Sequence, residues 1–498
     1  MQTYLDALMI CLQPANFLMM YAMVVLGCLL GAIPGLSGGI GISLLLPLTF
    51  ALTKEMSFCM LLGMYVGSCS GSFIAAVLIG IPGSSASIAT VFDGFPMTQK
   101  GQASKALTIA ILGSSIGTFA SIIIATLLSG TLADFALSLG PWEYFSLCFM
   151  ALSMIVGLSS GSVFRSMMGA CIGLFLATIG TDPITNVSRY TMGDYHLIAG
   201  IPIVVLMLGN YAIKLVTLNY AKGQQTMPSV ESESLKGLGL TFEDIRRNIK
   251  TIAVSMFTGA FVGFLPGLGT GMAAMVSYGQ AKRMSKTPEK FGTGCEEGVW
   301  ASEVANNACI GGAIIPMIAL GIPGDGITLM LLTALQIHGL QPGPMFMSQN
   351  PLLSNVIFAA LFCSAVLIVV TELLTKRWFP YILKAPYHYL YGTILVICMV
   401  GAFTNSNTMY TVWMMFAFGL FAVVLDYAKI PLQPMLMAFI LGRNLEQYYR
   451  RALSYAAGDV TQFLRRPISC VLLIIGIYSL FNPLVKHLIK KYRAAQAA

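Results

Sequence analysis

Gly31-Ala-Ile-Pro34-Gly35-Leu-Ser37-Gly38-Gly39 interrupts an apolar stretch that runs from residue 17 to residue 53. As one helix, that stretch would be roughly 55 Å long at 1.5 Å per residue, against a hydrocarbon core of about 30 Å. The chain must therefore break or fold back at the Pro-Gly step. Pro34 removes an amide donor and Gly35 admits positive φ, which leaves carbonyls free before the break and amides after it. Non-helical backbone at membrane depth is tolerated only against protein or a water-filled cavity. A single such motif would read as a plain kink, but this one recurs as GFLPGLGTG over 263–271, an offset of 232. GIPGSSAS (80–87) likewise recurs as GIPGDGIT (321–328), at an offset of 241 that also lays Gly71 on Gly312. Two motifs repeated in the same order, one of each per half, indicate internal duplication.

The composition agrees with a membrane chain. Of 498 residues, 56% are hydrophobic and only 10% charged, whereas soluble domains carry near 25% charged residues. That excludes a soluble enzyme and a nucleic-acid binder kept soluble by its charge. The opening MQTYLDALMICLQPANF lacks the basic segment of a secretory signal, so the apolar stretches read as retained spans. The net charge of +8 fits positive-inside loops and contact with lipid headgroups. Eleven cysteines without a C-x-x-C pair argue against a disulfide framework. The four scattered histidines, with no H-E-x-x-H, give no metal ligand set.

The fold class expected is an all-α polytopic membrane protein of about 10–13 transmembrane helices plus re-entrant or broken helices. Spans are expected at 17–33, 58–80, 107–130, 142–160, 163–180, 197–217, 251–265, 300–321, 354–374, 389–403, 409–428 and 468–485, with half-helices at 40–53, 327–337 and 434–442. Trp142 and Trp378 suit interface anchors. Residues 218–250 are polar and read as a surface linker between a first membrane repeat with accessory helices (1–217) and a second (251–498). Thr241 with Asp244 can form a capping box there, and Arg246, Arg247 and Lys250 close the short helix that follows. Basic residues flank 251–265 on both sides, so charge alone does not orient it. The two repeats are predicted to be inverted, as in many secondary transporters.

Candidate binding residues follow from the breaks. Pro34, Gly35, Ser37 and Gly38 precede a fresh helix start that suits a carboxylate, and the copy supplies Gly267 and Thr270. Pro82, Gly83, Ser84 and Ser85, with Pro323 and Gly324 in the copy, offer the same arrangement. Ser70 and Ser72 stand in the VGSCSGSF segment just before the first of these loops. Gly71 and Gly312 suit close helix packing. Asn306 and Asn307, in an apolar run, need partners when buried; their oxygens suit Na⁺ and their amide groups suit carboxylates. An interhelical clamp is the competing reading. Gly35, Gly267 and Asp325 are further cation candidates, although Asp325 beside a helix start is better placed to cap it. Glu303 is a candidate proton carrier or lysine partner, and Glu296 and Glu297 suit a surface equally well.

No G-x-x-x-x-G-K-[ST] occurs, so P-loop ATP hydrolysis is excluded. Gly35-Leu36-Ser37-Gly38 matches the G-x-S-G setting of some intramembrane serine proteases, with His196 or His338 as base. Its copy places Gly269 opposite Ser37, which a binding loop tolerates and duplicated catalysis would not explain. The expectation is a transporter and no enzyme, with a protease or a passive anion channel as alternatives.

At these residues the chain resembles the large membrane subunit of the tripartite tricarboxylate transporters, the TctA family. The likeness is carried by GAIPGLSGGIGISLLLPLTF (31–50), GSFIAAVLIGIPGSSASIATVFDGFPMTQKGQASKAL (71–107), GFLPGLGTGMAAMVSYGQAKRMSKTPEKFGTGCEEGVWASEVANNACIGGAIIPMIALGIPG (263–324) and IHGLQPGP (337–344). One departure is Gly80, where the family often has Asn before its first Ile-Pro-Gly. The resemblance implies a multi-pass bacterial inner-membrane secondary transporter that takes up citrate-like or other organic carboxylates. It implies a small TctB-like membrane subunit, a periplasmic TctC-like binding protein that delivers the substrate, and Na⁺ or H⁺ as the coupling ion. It implies no other cofactor and no nucleic acid.

Overall fold

The computed structural model describes residues 2–34, 36–158, 162–182, 184–222, 237–343, 345–382 and 387–496. Gly35 and residues 223–236 of the polar linker lie outside the described residues. The structure is all-α. Among the described residues one strand pair occurs, Gly180–Thr181 with Ser188–Arg189. Among the described residues, six helices are long and apolar enough to cross a membrane: Pro14–Ala32, Lys54–Ile79 (broken at Ser72), Ala103–Leu137, Glu296–Leu320, Pro351–Tyr381 and Met409–Tyr427. Shorter apolar helices include Gly38–Ala51, Gly326–Ile337 and Pro467–Asn482.

The chain divides into two compact units, each assembled from both halves of the sequence. One comprises Met1–Asp134 and Tyr220–Val396, the other Phe135–Asn219 and Ile397–Ala498.

All four Pro-Gly breaks fall in the first unit. There, helix Pro14–Ala32 lies along helix Lys54–Gly71 with the two chains running the same way. A β-carbon on Gly27 would strike the Met64 carbonyl, one on Gly31 the Ser68 carbonyl, and one on Gly71 the Cys28 carbonyl. Backbones this close need glycine, because any side chain would force the helices apart. The same approaches recur between Phe242–Phe264 and Glu296–Leu320. Gly259 meets Ala305, Gly263 meets Cys309, and Gly312 meets Ala260. Each pair reproduces its counterpart after adding 232 to the first helix and 241 to the second.

The helix expected to close near Lys250 instead runs from Phe242 to Phe264. The capping box at its start is present, with Thr241 and Asp244 bonded in both directions. The Thr241 amide and hydroxyl hold the Asp244 carboxyl below its ordinary range. Lys105 pairs with both Asp244 and Glu296, at 3.2 and 2.7 Å. It thereby brings the first turns of Ala103–Leu137, Phe242–Phe264 and Glu296–Leu320 to one end of the unit.

In the second unit, Pro141–Leu158 packs on Pro467–Gln496 and on Leu432–Tyr455, which also packs on Val163–Ala177. Leu432–Tyr455 is longer than the half-helix expected at 434–442, because its last turns carry Glu446, Arg450 and Arg451. Arg450 and Glu446 with Arg189 and Asp182 form an ion network, and Arg450 holds Asp182 well below the usual carboxylate range. Trp142 lies under the Arg466 guanidinium at 3.8 Å, a cation–π pair suited to a span end. The segment expected as a span at 197–217 begins only at Ile203, and Leu208–Ile213 winds as a π turn.

Candidate functional site

Each Pro-Gly break ends one helix and starts another against its neighbours. Helix Phe73–Ile79 stops at Gly80, whose φ of 71° is left-handed; Glu296–Leu320 stops at Gly321 with φ 70°. After each stop the chain turns back. The Gly83 amide donates to the Ser72 carbonyl at 3.3 Å, and a β-carbon on Gly83 would collide with the Gly31 carbonyl. Likewise Gly324 abuts the Gly263 carbonyl and Ala313. The Gly267 amide, at φ 79°, donates to the Gly324 carbonyl at 2.8 Å. Within each half, then, the two breaks touch.

They also interlock across the halves. A β-carbon on Gly38 would meet the Ile327 side chain, and one on Gly39 would meet Met330. Gly271 sits on Ser85. The four interruptions therefore gather in one place.

That place lies near the middle of the unit's long helices. Thr90 bonds Ser302 and Glu303 while Asp93 reaches Gly292–Cys295, so helix Ile88–Gln99 runs opposite to Glu296–Leu320. Ser70 meets Asn307, and Tyr65 meets Asp325 at the level of Ala313, so Lys54–Gly71 opposes that helix too. Counted at 1.5 Å per residue, the meeting level is roughly 24 Å from Lys54 and roughly 16 Å from Glu296. The sum of about 40 Å matches a bilayer with its headgroup regions.

The side chains at this level are polar; Asp325, Ser72 and Thr270 are buried, Ser37 and Ser84 half-buried and Ser85 exposed. Asp325 caps Gly326–Ile337: Oδ1 accepts from the Thr328 amide and hydroxyl, both at 2.7 Å, and Oδ2 accepts from the Tyr65 hydroxyl at 2.9 Å. Ser84 caps the short turn after its own break by accepting from the Ala86 amide. Ser37 stands before Gly38–Leu45 without a side-chain capping bond. Ser72 donates to the Cys69 carbonyl, and Thr270 is buried at the start of Gly269–Met284.

The adjacent amides differ. Asn307 is an interhelical clamp: Oδ1 accepts from Ser70 at 3.1 Å and Thr118 at 3.3 Å, and Nδ2 donates to the Glu303 carbonyl. Asn306 is equally buried, yet neither Oδ1 nor Nδ2 completes a hydrogen bond. Asn307→Ala should therefore leave the buried Ser70 hydroxyl short of an acceptor, while Thr118 keeps the Ser114 carbonyl, and cost about 1–3 kcal/mol. Asn306→Ala strands no partner, so it should cost less stability than Asn307→Ala and alter ion dependence instead. Differential scanning fluorimetry of both variants beside ion-dependent uptake separates the two roles.

Sequence reasoning missed several residues here. Thr90, Ser114 and Tyr65 were hidden because helix Ile88–Gln99 reads as polar loop and single hydroxyls in apolar helices carry no pattern. Asp93 had a usable signal, a lone acid among apolar neighbours, which inside a membrane domain marks a site by default. Its Oδ1 accepts from the amides of Gly292, Gly294 and Cys295 at 2.7–2.9 Å, and Oδ2 from the Tyr278 hydroxyl at 2.8 Å. The two histidines named as bases for Ser37 are engaged elsewhere, His338 with Ser57 and His196 with Asp194.

The family model described as Tripartite tricarboxylate transporter TctA family matches residues 17–437. A protein of Agrobacterium vitis described as an uncharacterized 52.8 kDa protein in the TAR-I ttuC' 3' region is 32% identical over 466 residues, covering 94% of this chain and 92% of its own. A second from the same organism, described as an uncharacterized protein in the TAR-II ttuC' 3' region, is 33% identical over 219 residues, covering 44% of this chain and 90% of its own. No solved structure matches.

Proposed function

Because the chain belongs to the tripartite tricarboxylate transporter TctA family, we propose that it imports organic carboxylates by alternating access, with substrate held where the four breaks meet. The observation that carries this reading is the contact of all four Pro-Gly interruptions near the middle of the unit's long helices. Backbone amides at the uncapped start of Gly38–Leu45, with Ser37, Ser84 and Ser85, supply neutral donors for carboxylate oxygens. No lysine or arginine stands in these loops, so a co-bound cation offsets the anion's charge. Na⁺ or H⁺ fills that part, with Gly267 and Asn306 among its neighbours.

The matched contacts at offsets of 232 and 241, on helices that run in opposite directions, support a pair of inverted copies. The basic residues of this unit favour one orientation. Lys100 donates to the Thr293 carbonyl, and Lys376 to Ser104 and Thr108, so both join Lys105, Arg246, Arg247 and Lys250 at one end. Lys54 marks the opposite end. By the positive-inside rule the end with the polar linker is cytoplasmic, in a bacterial inner membrane.

A small TctB-like subunit and a periplasmic TctC-like protein complete the system. The test is proteoliposome uptake of labelled organic acids by the reconstituted three-part assembly. Saturable uptake that needs both the binding protein and an ion gradient is expected. Uptake that survives collapse of both the Na⁺ and the proton gradient, or that does not saturate, would favour a passive anion channel.

A further inference from the structure

Glu303 is fully buried in helix Glu296–Leu320. Its Oε1 accepts from the Thr90 hydroxyl and its Oε2 from the Ser114 hydroxyl at 3.0 Å. Thr90 Oγ1 also stands 3.0 Å from Ser302 Oγ. Among the described residues, no lysine, arginine or histidine pairs with Glu303. An uncompensated carboxylate this deep is costly, and an apolar residue would pack there at less expense. One turn along, the Asn306 side chain is fully buried as well and stands near the same carboxylate, but neither of its polar atoms reaches full hydrogen-bond geometry. An orphaned amide at a buried, unpaired acid marks a place prepared for something the protein itself does not supply.

Asp93 and Asp325 do not share this, being satisfied by amides and hydroxyls. Glu372 is buried too and, among the described residues, meets the Cys28 thiol and no basic partner; what sets Glu303 apart is the cage of hydroxyls around its carboxylate.

We propose that Glu303, with Thr90, Ser114, Ser302 and Asn306, is the monovalent-cation site of this protein, binding Na⁺ or a proton at the carboxylate. Hydroxyl and amide oxygens around one carboxylate suit a hard cation. A proton on the same carboxylate would find acceptors in the surrounding hydroxyl oxygens. In both forms the bound cation removes the buried charge. The inference rests on the coupling assumed for carboxylate import, and it moves the cation from the capping Asp325 to the helix that carries Asn306.

The test is ²²Na⁺ binding to the purified full chain, paired with infrared detection of a protonated carboxyl group. For a Na⁺ site, E303Q should raise half-saturating Na⁺ at least about tenfold, and S114A, which removes one oxygen from the cage, a few-fold. For a proton site, wild type should show a buried carboxyl band that E303Q lacks and S114A shifts. S114A decides the matter if E303Q fails to fold. Na⁺ binding and carboxyl bands that are unchanged in both variants would overturn the proposal. Neither readout requires transport, so a protein that binds a cation at Glu303 yet moves no carboxylate would sink the functional reading and leave this site standing.

Discussion

Replacing Gly83 with alanine is expected to lower uptake by about a hundred-fold in a protein that still folds. The added carbon would overlap the Gly31 carbonyl and crowd Ser72, and a displacement near 1 Å at a positioned site costs on that order. Overpacking of this kind destabilises by about 1–3 kcal/mol, which a large helical unit survives. Gly279→Ala is the control. It lies in helix Gly269–Met284 with nothing within 4 Å of the new carbon, so uptake should be unchanged and the helix slightly favoured. Equal uptake in the two variants would show that contact between the breaks is not where substrate is handled.

The second large effect belongs to Asp93. Its Oδ1 collects three backbone amides from the turn before Glu296, and its Oδ2 takes the Tyr278 hydroxyl. Asp93→Ala would strand those donors and should cost about 2–5 kcal/mol, a large share of a typical folding free energy. Asp93→Asn keeps an oxygen facing the three amides, and should stay within about 1 kcal/mol of wild type. Thermal unfolding in detergent checks both. If asparagine proved as damaging as alanine, the carboxylate's charge rather than its acceptor geometry would be the essential property.

The breaks were legible because proline and glycine act locally. Pro34 and Pro82 end helices whatever surrounds them, and an apolar run too long for the bilayer announces a fold-back. The capping box at Thr241 was legible for the same reason. Helices Gln2–Leu12, Ile88–Gln99 and Gly269–Met284 were not, since each is short or polar enough to pass for loop. Their apolar faces are completed by neighbours far away in sequence, as Tyr278 is by Phe92 and Phe291. The choice between Asn306 and Asn307 was beyond any local rule. Two identical side chains one residue apart face different helices, and only packing decides which one finds Ser70 and Thr118.

The interlocking of Gly38 with Ile327 and of Gly271 with Ser85 bears on how such a chain is made. The amino-terminal hairpins leave the ribosome long before their counterparts, with interrupted backbone that has nothing yet to rest on. Insertion must therefore precede assembly, and the nascent first half has to wait in lipid or beside a chaperone until synthesis is nearly finished. A message truncated within the linker would yield a stranded half, fit chiefly for proteolytic quality control.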